Sequence, residues 1–167
     1  MIKLLGALCF VFAGAIYGAE KSSSLKNKCT GCREIRSLIV KISILIRYRG
    51  LNVYEIVREL KASSDIVNLS FIENLPSEFK AGSDFHKLWC TAVENDISIG
   101  KDESKILCKF GNVLGTSDIE GQLLSIESIL EELKNIEQIR QDEYRRKGKL
   151  YRSLGVLFGV MTGILLI

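Results

Sequence analysis

Apolar residues form two nearly uninterrupted runs at the ends of this chain and a periodic pattern between them. Residues 2–19 carry one charge, at Lys3, and residues 153–167 carry none. A helix needs roughly 20 mostly apolar residues to cross a bilayer core, so the second run becomes long enough when it starts near Leu150. The pattern predicts an N-terminal transmembrane helix over residues 1–19, a central domain over residues 20–149 and a C-terminal transmembrane helix over residues 150–167.

The central residues repeat at the spacing of amphipathic helices. Apolar side chains recur three and four positions apart in residues 35–46, 53–60, 85–93 and 119–136. The β-branched part of the first stretch also fits a strand, but no partner strand with turn signals accompanies it, so a helix is favoured. The central domain is therefore predicted to be an all-α bundle of about six helices.

Turn and cap residues mark where these helices begin and end. Gly50 is expected to end the first one. Asn52 with Glu55 three residues later has the capping-box pattern, and Ser117 is expected to cap the last helix in the same way. Ser83 is expected to cap a helix with an apolar face. That buried face is predicted to hold Phe85, Leu88, Trp89, Ala92 and Val93.

The positions of the basic residues are more informative about orientation than the net charge is. A net charge of +3 is too small to indicate nucleic acid binding. Basic residues cluster at the inner ends of both apolar runs, whereas the outer ends offer only Lys3 and the N-terminus. By the positive-inside rule, the protein is expected in the cell membrane with its central domain in the cytoplasm. The cluster consists of Lys21, Lys26, Lys28, Arg33, Arg36, Arg140, Arg145, Arg146, Lys147, Lys149 and Arg152.

The first run also resembles a cleaved signal peptide, with Lys3 as its basic start. Cleavage after Ala19 would make the central domain an extracytoplasmic interaction module. However, Tyr17 would then occupy the −3 position, and the residues that follow are basic. A retained membrane anchor is therefore favoured.

Cys29-Thr-Gly-Cys32 is a C-x-x-C motif, and it supports a second hypothesis, a membrane-tethered thiol protein. A redox pair is typically found in a βαβ context, and a zinc site needs two further ligands; neither is evident in the sequence. Structural cysteines are favoured, and no metal or cofactor is expected.

The sequence contains no P-loop, G-x-S-x-G or H-E-x-x-H motif. His86 is the single histidine, and no nucleophile–base pair forms around it in the sequence. We therefore expect no enzymatic activity and no small-molecule substrate.

The last helix of the domain carries the candidate partner-binding site. Eight acidic residues lie between Asp118 and Glu143, against Lys134 and Arg140. The apolar stripe of this helix already accounts for its core contacts, so its acids are expected to face away from the core. The candidate partner-binding residues are Glu127, Glu131, Glu132 and Glu137.

Several motifs resemble, in order, the stage III sporulation protein AB family of endospore-forming bacteria. They are the N-terminal KLLGA at residues 3–7, the Trp89 helix, the LGTSDxxxQ turn at residues 114–122 and the C-terminal segment over residues 149–167. The Tyr-x-Ser-Leu-Gly beginning at Tyr151 and the turn are the most specific of these.

The resemblance implies a mother-cell membrane protein of the complex that links mother cell and forespore during sporulation. The soluble domain of the family is similar to cytoplasmic domains of type II secretion F-type platform proteins. By that analogy the partners would be a secretion-type ATPase similar to stage III sporulation protein AA, other members of the same membrane complex, and membrane lipid. Shared fold alone does not establish a shared role.

Overall fold

Every regular element that the structure describes is helical. The structure is a computed structural model, and it describes residues 2–63, 69–79, 82–116 and 118–166. In chain order the elements are α1 (Ile2–Ile44), a π-helical segment (Leu45–Arg49), α2 (Val53–Ala62), a 3₁₀ helix (Ser70–Asn74), α3 (Phe85–Glu94), α4 (Lys101–Val113) and α5 (Ile119–Leu166). The predicted all-α class is confirmed for these residues.

The chain divides into two compact units. One, which we call the helix pair, combines Met1–Thr30 with Glu137–Ile167, and the other, the bundle, is Gly31–Ile136. α1 and α5 each contribute residues to both units, so each terminal apolar run is part of a longer helix. No proline interrupts either helix. In the described ranges, no helix combines the length and apolarity that a membrane crossing requires.

Trp89 lies at the centre of the bundle core. Its side chain is fully buried, as predicted. The indole ring packs against Phe71, Phe85 and Phe110, with ring centroids 5.3, 6.0 and 5.8 Å away. Its N–H donates a hydrogen bond to the Leu107 carbonyl at 2.7 Å. The one polar atom of the ring is thus satisfied, which allows the whole side chain to be buried.

Gly111 on α4 leaves the space that this ring occupies. A Cβ at position 111 would overlap the indole and lie 2.7 Å from Trp89 Cγ. The Gly111 carbonyl also accepts a hydrogen bond from Nδ1 of the half-buried His86 at 2.6 Å. The single histidine thus has a structural contact between α3 and α4.

Most of the predicted helix boundaries are confirmed. Gly50 follows the π-helical segment with φ of +57°, a conformation in which glycine is unstrained. Asn52 and Glu55 form both hydrogen bonds of the capping box. The cap of α3 is Asp84, not Ser83, because the Asp84 carboxylate accepts from the first backbone N–H groups of α3. A carboxylate also suits the positive end of the helix dipole.

Two other predictions about faces and caps have different outcomes. Leu88 was placed on the buried face of α3, but 39% of it is exposed. The buried residues of α3 are Phe85, Trp89, Ala92 and Val93. With about 3.6 residues per turn, Leu88 lies at the edge of the face that these four residues share. Ser117, the predicted cap of α5, lies outside the described residues.

Asp96 organises the loop that follows α3. Its carboxylate accepts hydrogen bonds from the Ser70 hydroxyl at 2.8 Å, the Phe71 backbone N–H at 2.9 Å and the Ser98 N–H at 3.0 Å. Burial raises the pKa of this carboxyl, but the hydrogen bonds from Ser98, Ser70 and Phe71 outweigh that effect. Its pKa is therefore held below the ordinary 3.8.

We expect Gly111→Ala to destabilise the bundle by about 1–3 kcal/mol, because the added methyl group would overpack the core against the indole. Gly31→Ala is the control, since a Cβ there meets nothing within 4 Å, and it should raise stability by about 0.4–1 kcal/mol. Urea unfolding of both variants measures the difference. Equal stability of the two would contradict the proposed contact.

Asp96 should make the stability of the bundle depend on pH below about 3.8. Because its pKa is lower in the folded chain than in the unfolded chain, its contribution is present above pH 3.8 and lost as the pH falls through the folded pKa. Asp96→Asn should reduce the urea midpoint at pH 7, and the gap to the parent chain should close at lower pH. The exposed Glu73→Gln control should not show the gap at pH 7.

Candidate functional site

The predicted partner-binding acids lie along α5, and Glu127, Glu131 and Glu132 are exposed, whereas Ile126, Ile129 and Leu133 of the same helix are core residues. Three of them form ion pairs with bases of the bundle. These pairs are Glu127 with Arg47 at 3.4 Å, Glu131 with Lys134 at 3.5 Å and Glu132 with Lys109 at 2.6 Å. Glu137 is half-buried and is the first α5 residue of the helix pair.

These ion pairs change the electrostatic character of the predicted surface. Each acid brings a base of the same chain beside it, so the surface carries mixed charge. Side-chain exposure is 64% for Glu127, 66% for Glu131 and 47% for Glu132. Exposed pairs of this kind contribute roughly 0–1 kcal/mol each. A basic partner can therefore replace the chain's own bases without much loss of stability.

Cys29 and Cys32 are both buried. The Cys32 thiol is fully inaccessible and donates a hydrogen bond to Glu103 Oε1 at 3.0 Å. Glu103 is itself only 4% exposed. A reactive thiol needs solvent access and a stabilised thiolate, and a neighbouring carboxylate does not stabilise one. Within the bundle, Cys32 joins α1 to α4.

The other bundle cysteines lie side by side between α3 and α4. The Cys90 thiol donates weakly to the Cys108 carbonyl at 3.8 Å, and the reverse contact is 4.0 Å. Burial, followed by the neighbouring Cys90, raises the pKa of Cys108 to about 12. This thiol is therefore protonated at neutral pH. Among the residues that the structure describes, no group of three or more side chains could hold a metal ion.

The LGTSDxxxQ motif forms the turn between α4 and α5. Gly115 has φ of +76°, and its N–H donates to Gln122 Oε1 at 3.3 Å. The turn borders a groove of about 340 Å³ that is also lined by Ile46, Val53 and Tyr54. The motif residues Gly115 and Gln122 thus have a structural explanation, which is to close the turn from α4 into α5.

In the helix pair, α1 and α5 approach each other at glycines. A Cβ on Gly14 would overlap the Gly155 carbonyl oxygen, and one on Gly18 would overlap the Tyr151 carbonyl oxygen. A Cβ on Gly155 would overlap the Gly14 carbonyl oxygen and lie 3.1 Å from the Gly18 Cα. The two backbones are therefore in direct contact along antiparallel helices. We call this contact the glycine seam.

The glycine seam was missed by the sequence analysis, although a signal for it exists. Gly14 and Gly18 are four residues apart, and so are Gly155 and Gly159. Small residues at this spacing form a flat helix face, which is typical of helix contacts within membranes. The Tyr-x-Ser-Leu-Gly motif supplies one of these glycines, which gives it a structural role.

Away from the glycine seam, the helix pair presents large apolar side chains to its surroundings. Large side chains of this kind are usually buried in soluble monomers, so this many exposed ones in one unit is unusual. The exposed residues are Phe12, Ile16, Tyr17, Leu150, Tyr151, Leu154, Val156, Leu157, Phe158, Val160, Met161 and Ile164.

Comparison with known proteins gives a consistent result over the whole chain. The family model described as stage III sporulation protein AB matches residues 3–167. Stage III sporulation protein AB of Bacillus subtilis (strain 168) is 24% identical over 170 residues, covering 99% of this chain and 99% of that protein. No solved structure gives a significant match.

We expect Cys32→Ser to leave the stability of the bundle near that of the parent chain, because a hydroxyl still donates to Glu103. Cys32→Ala removes that donor from a buried carboxylate and should lower the free energy of unfolding by about 1–3 kcal/mol. Cys29→Ala is a control, since it truncates a buried cysteine without removing this hydrogen bond. Equal midpoints for Cys32→Ser and Cys32→Ala would show that the hydrogen bond contributes little.

Proposed function

This chain belongs to the stage III sporulation protein AB family, and on that premise we propose that it is a non-enzymatic membrane platform of the complex between mother cell and forespore. Family membership implies a role in endospore formation. The platform would hold a helical bundle at the mother-cell membrane and dock a cytoplasmic ATPase similar to stage III sporulation protein AA. It would also contact other members of the same complex.

The exposed apolar surface of the helix pair is the observation that carries the membrane part of this proposal. In water, leaving residues such as Phe12 and Phe158 more than half exposed is unfavourable, because each buried large apolar side chain contributes about 1.5–3 kcal/mol. In a bilayer the same side chains would contact lipid hydrocarbon, where their exposure carries no such cost. Backbone contact at glycines then supplies helix association where no hydrophobic force acts between helices. Membrane insertion is therefore supported by the exposed side chains and the glycine contact of the helix pair. It is not supported by the apolarity of either helix alone.

The charges beside the apolar surface support an orientation. From Arg145 to Arg152, α5 carries five bases and no acid, and on α1 Lys21, Lys26 and Lys28 follow the apolar run. These bases follow the first apolar run or precede the second, on the inner side of both anchors, whereas Lys3 lies at the outer end of the first. We propose that this side, with the bundle, faces the cytoplasm.

The exposed acids of α5 are the proposed docking surface for the ATPase. Glu127, Glu131 and Glu132 point away from the core, so a partner can reach them without disturbing the bundle. Their ion pairs with bases of the same chain are exposed and weak, so a basic partner can exchange with those bases. Charge complementarity of this kind acts mainly on the association rate.

Two alternatives find less support in the geometry. A thiol protein would need accessible cysteines, whereas Cys32 is fully buried and Cys29 is nearly so. An extracytoplasmic module would follow cleavage near Ala19, but Tyr17 would then occupy the −3 position and the residues that follow are basic. The platform proposal requires neither exposed thiols nor cleavage.

We expect the full chain to remain in the membrane pellet after alkaline carbonate extraction. Leu154→Asp with Phe158→Asp should shift it toward the supernatant, because each charge within lipid costs roughly 2.5–3.5 kcal/mol. The matched control is Ile97→Asp with Leu124→Asp, two exposed positions of the bundle, which should leave the chain in the pellet. A parent chain that is fully extracted would contradict membrane insertion.

Orientation has a separate measurement. A single cysteine at Asn135→Cys, in a chain whose native cysteines are replaced, should resist a membrane-impermeant thiol reagent on intact cells. It should react once the cells are opened. Labelling of intact cells would contradict the cytoplasmic orientation while leaving membrane insertion standing.

We expect Glu131→Lys with Glu132→Lys to reduce capture of the ATPase in a pull-down, most strongly at low salt, with little change in bundle stability. Glu73→Lys with Glu78→Lys makes the same charge change at other exposed positions and should retain capture. Equal recovery of the parent chain and the α5 variant at both salt concentrations would contradict the docking surface.

The thiol hypothesis is tested in the same cells. Cys29→Ser with Cys32→Ser should sporulate at near-normal efficiency if the motif is structural. A thiol protein would lose its function in this variant, so a sporulation defect with unchanged bundle stability would favour that alternative.

A further inference from the structure

The groove of about 340 Å³ beside the turn between α4 and α5 is enclosed by four segments of the bundle. They are the π-helical segment, the start of α2, the turn itself and the start of α5, and none of the lining residues is charged. Among these residues Ile46, Ile56 and Leu114 are buried, whereas Ile119 is 47% exposed. The groove is thus a largely apolar concavity that reaches the surface. We call it the turn groove.

Large apolar side chains are exposed on the segments that line the turn groove. Single exposed apolar residues are ordinary on a protein surface, but several beside a concavity are typical of a protein interface. Two lie at the end of α1 and in the π-helical segment, and two lie on the first turns of α5. Their exposure ranges from 47% to 76%, and they are Ile44, Tyr48, Ile119 and Leu124.

The acids of the proposed docking surface lie on the same stretch of α5. From Asp118 to Leu133 this helix carries five acids and no base. Arg47, which follows the groove residue Ile46, reaches Glu127 at 3.4 Å, and more than half of each side chain is exposed. Arg47 therefore marks a position beside the groove where a base is accommodated. An exposed pair of this kind is weak enough to be exchanged.

The spacing between the turn groove and this ion pair matches two turns of a helix. Ile119 and Glu127 are eight residues apart, which is about 12 Å along α5 at 1.5 Å per residue. On a second helix lying along α5, residues seven or eight positions apart share one face and span about the same distance. One such helix can therefore reach the groove and Glu127 together.

We propose that the turn groove receives one large apolar side chain from a basic amphipathic helix of the partner that docks on the α5 acids. A lysine or arginine seven or eight residues away on that helix pairs with Glu127 in place of Arg47. This inference rests on the proposed docking surface and adds its anchor. A side chain that fills an apolar concavity slows dissociation, whereas charge pairing mainly speeds association.

The experiment measures binding of the ATPase to the immobilised full chain by surface plasmon resonance. Ile119→Asp places a charge at the exposed edge of the turn groove, so it should raise the dissociation rate about tenfold with little change in the association rate. Ile97→Asp is the matched control, since Ile97 is an exposed isoleucine of the bundle that does not line the groove. It should leave both rates unchanged. Urea midpoints show that both variants remain folded.

A second pair of variants tests the exchange at Glu127. Arg47→Gln removes the chain's own base, so the association rate at low salt should rise about threefold. Arg49→Gln removes the same charge from the same segment, but it releases Glu59 of α2 instead of Glu127. The gain from Arg49→Gln should therefore be smaller.

The outcomes separate this inference from the docking surface on which it rests. If the parent chain does not bind the ATPase, or if Glu131→Lys with Glu132→Lys binds it normally, the docking surface and the turn groove inference both fail. If that variant loses binding while Ile119→Asp behaves like Ile97→Asp, only the turn groove inference is overturned.

Two further results would also overturn the inference. Equal gains from Arg47→Gln and Arg49→Gln would show that a partner's base does not replace Arg47 on Glu127. If Ile119→Asp instead reduces self-association of the chain in sedimentation and leaves ATPase binding unchanged, the occupant of the turn groove is a second copy of this chain.

Discussion

Trp89 packs its indole ring onto the bare backbone of Gly111, and the core of the bundle is arranged around this contact. The ring touches aromatic side chains from the 3₁₀ helix, α3 and α4. Its N–H reaches the Leu107 carbonyl. A side chain on Gly111 would push α3 away from α4, and the neighbouring hydrogen bond from His86 would be lost with it. A large ring and an absent side chain together set the distance between the two helices.

Glycine also allows close packing in the helix pair, but there a different group fills the space beside it. In the bundle the space left by Gly111 is filled by an aromatic ring. At the glycine seam it is filled by the backbone of the opposite helix. The bundle buries its apolar residues against one another, whereas the helix pair turns most of its own outward. The two units are thus built for different surroundings, which is the physical basis of the proposed platform.

Charge follows the same division along α5. Its bundle part carries exposed acids that pair with bases of the same unit, and its helix-pair part carries bases with few acids. Exposed surface pairs are weak and exchangeable, which suits the proposed docking surface.

Features that depend on residues a few positions apart can be predicted from the amino-acid sequence. Periodicity indicated helices and placed Trp89 inside, Gly50 ended a helix through its own conformational freedom, and Asn52 with Glu55 formed a local cap. Which faces meet is known only from the folded chain. Examples are the exposure of Leu88, the hydrogen bond between Cys32 and Glu103, and the glycine seam. The hydrogen bond joins α1 to α4, and the glycine seam joins α1 to α5. The exposure of Leu88 depends on how neighbouring helices pack against α3. No local pattern encodes such distances, because they are set by the packing of segments far apart in the chain.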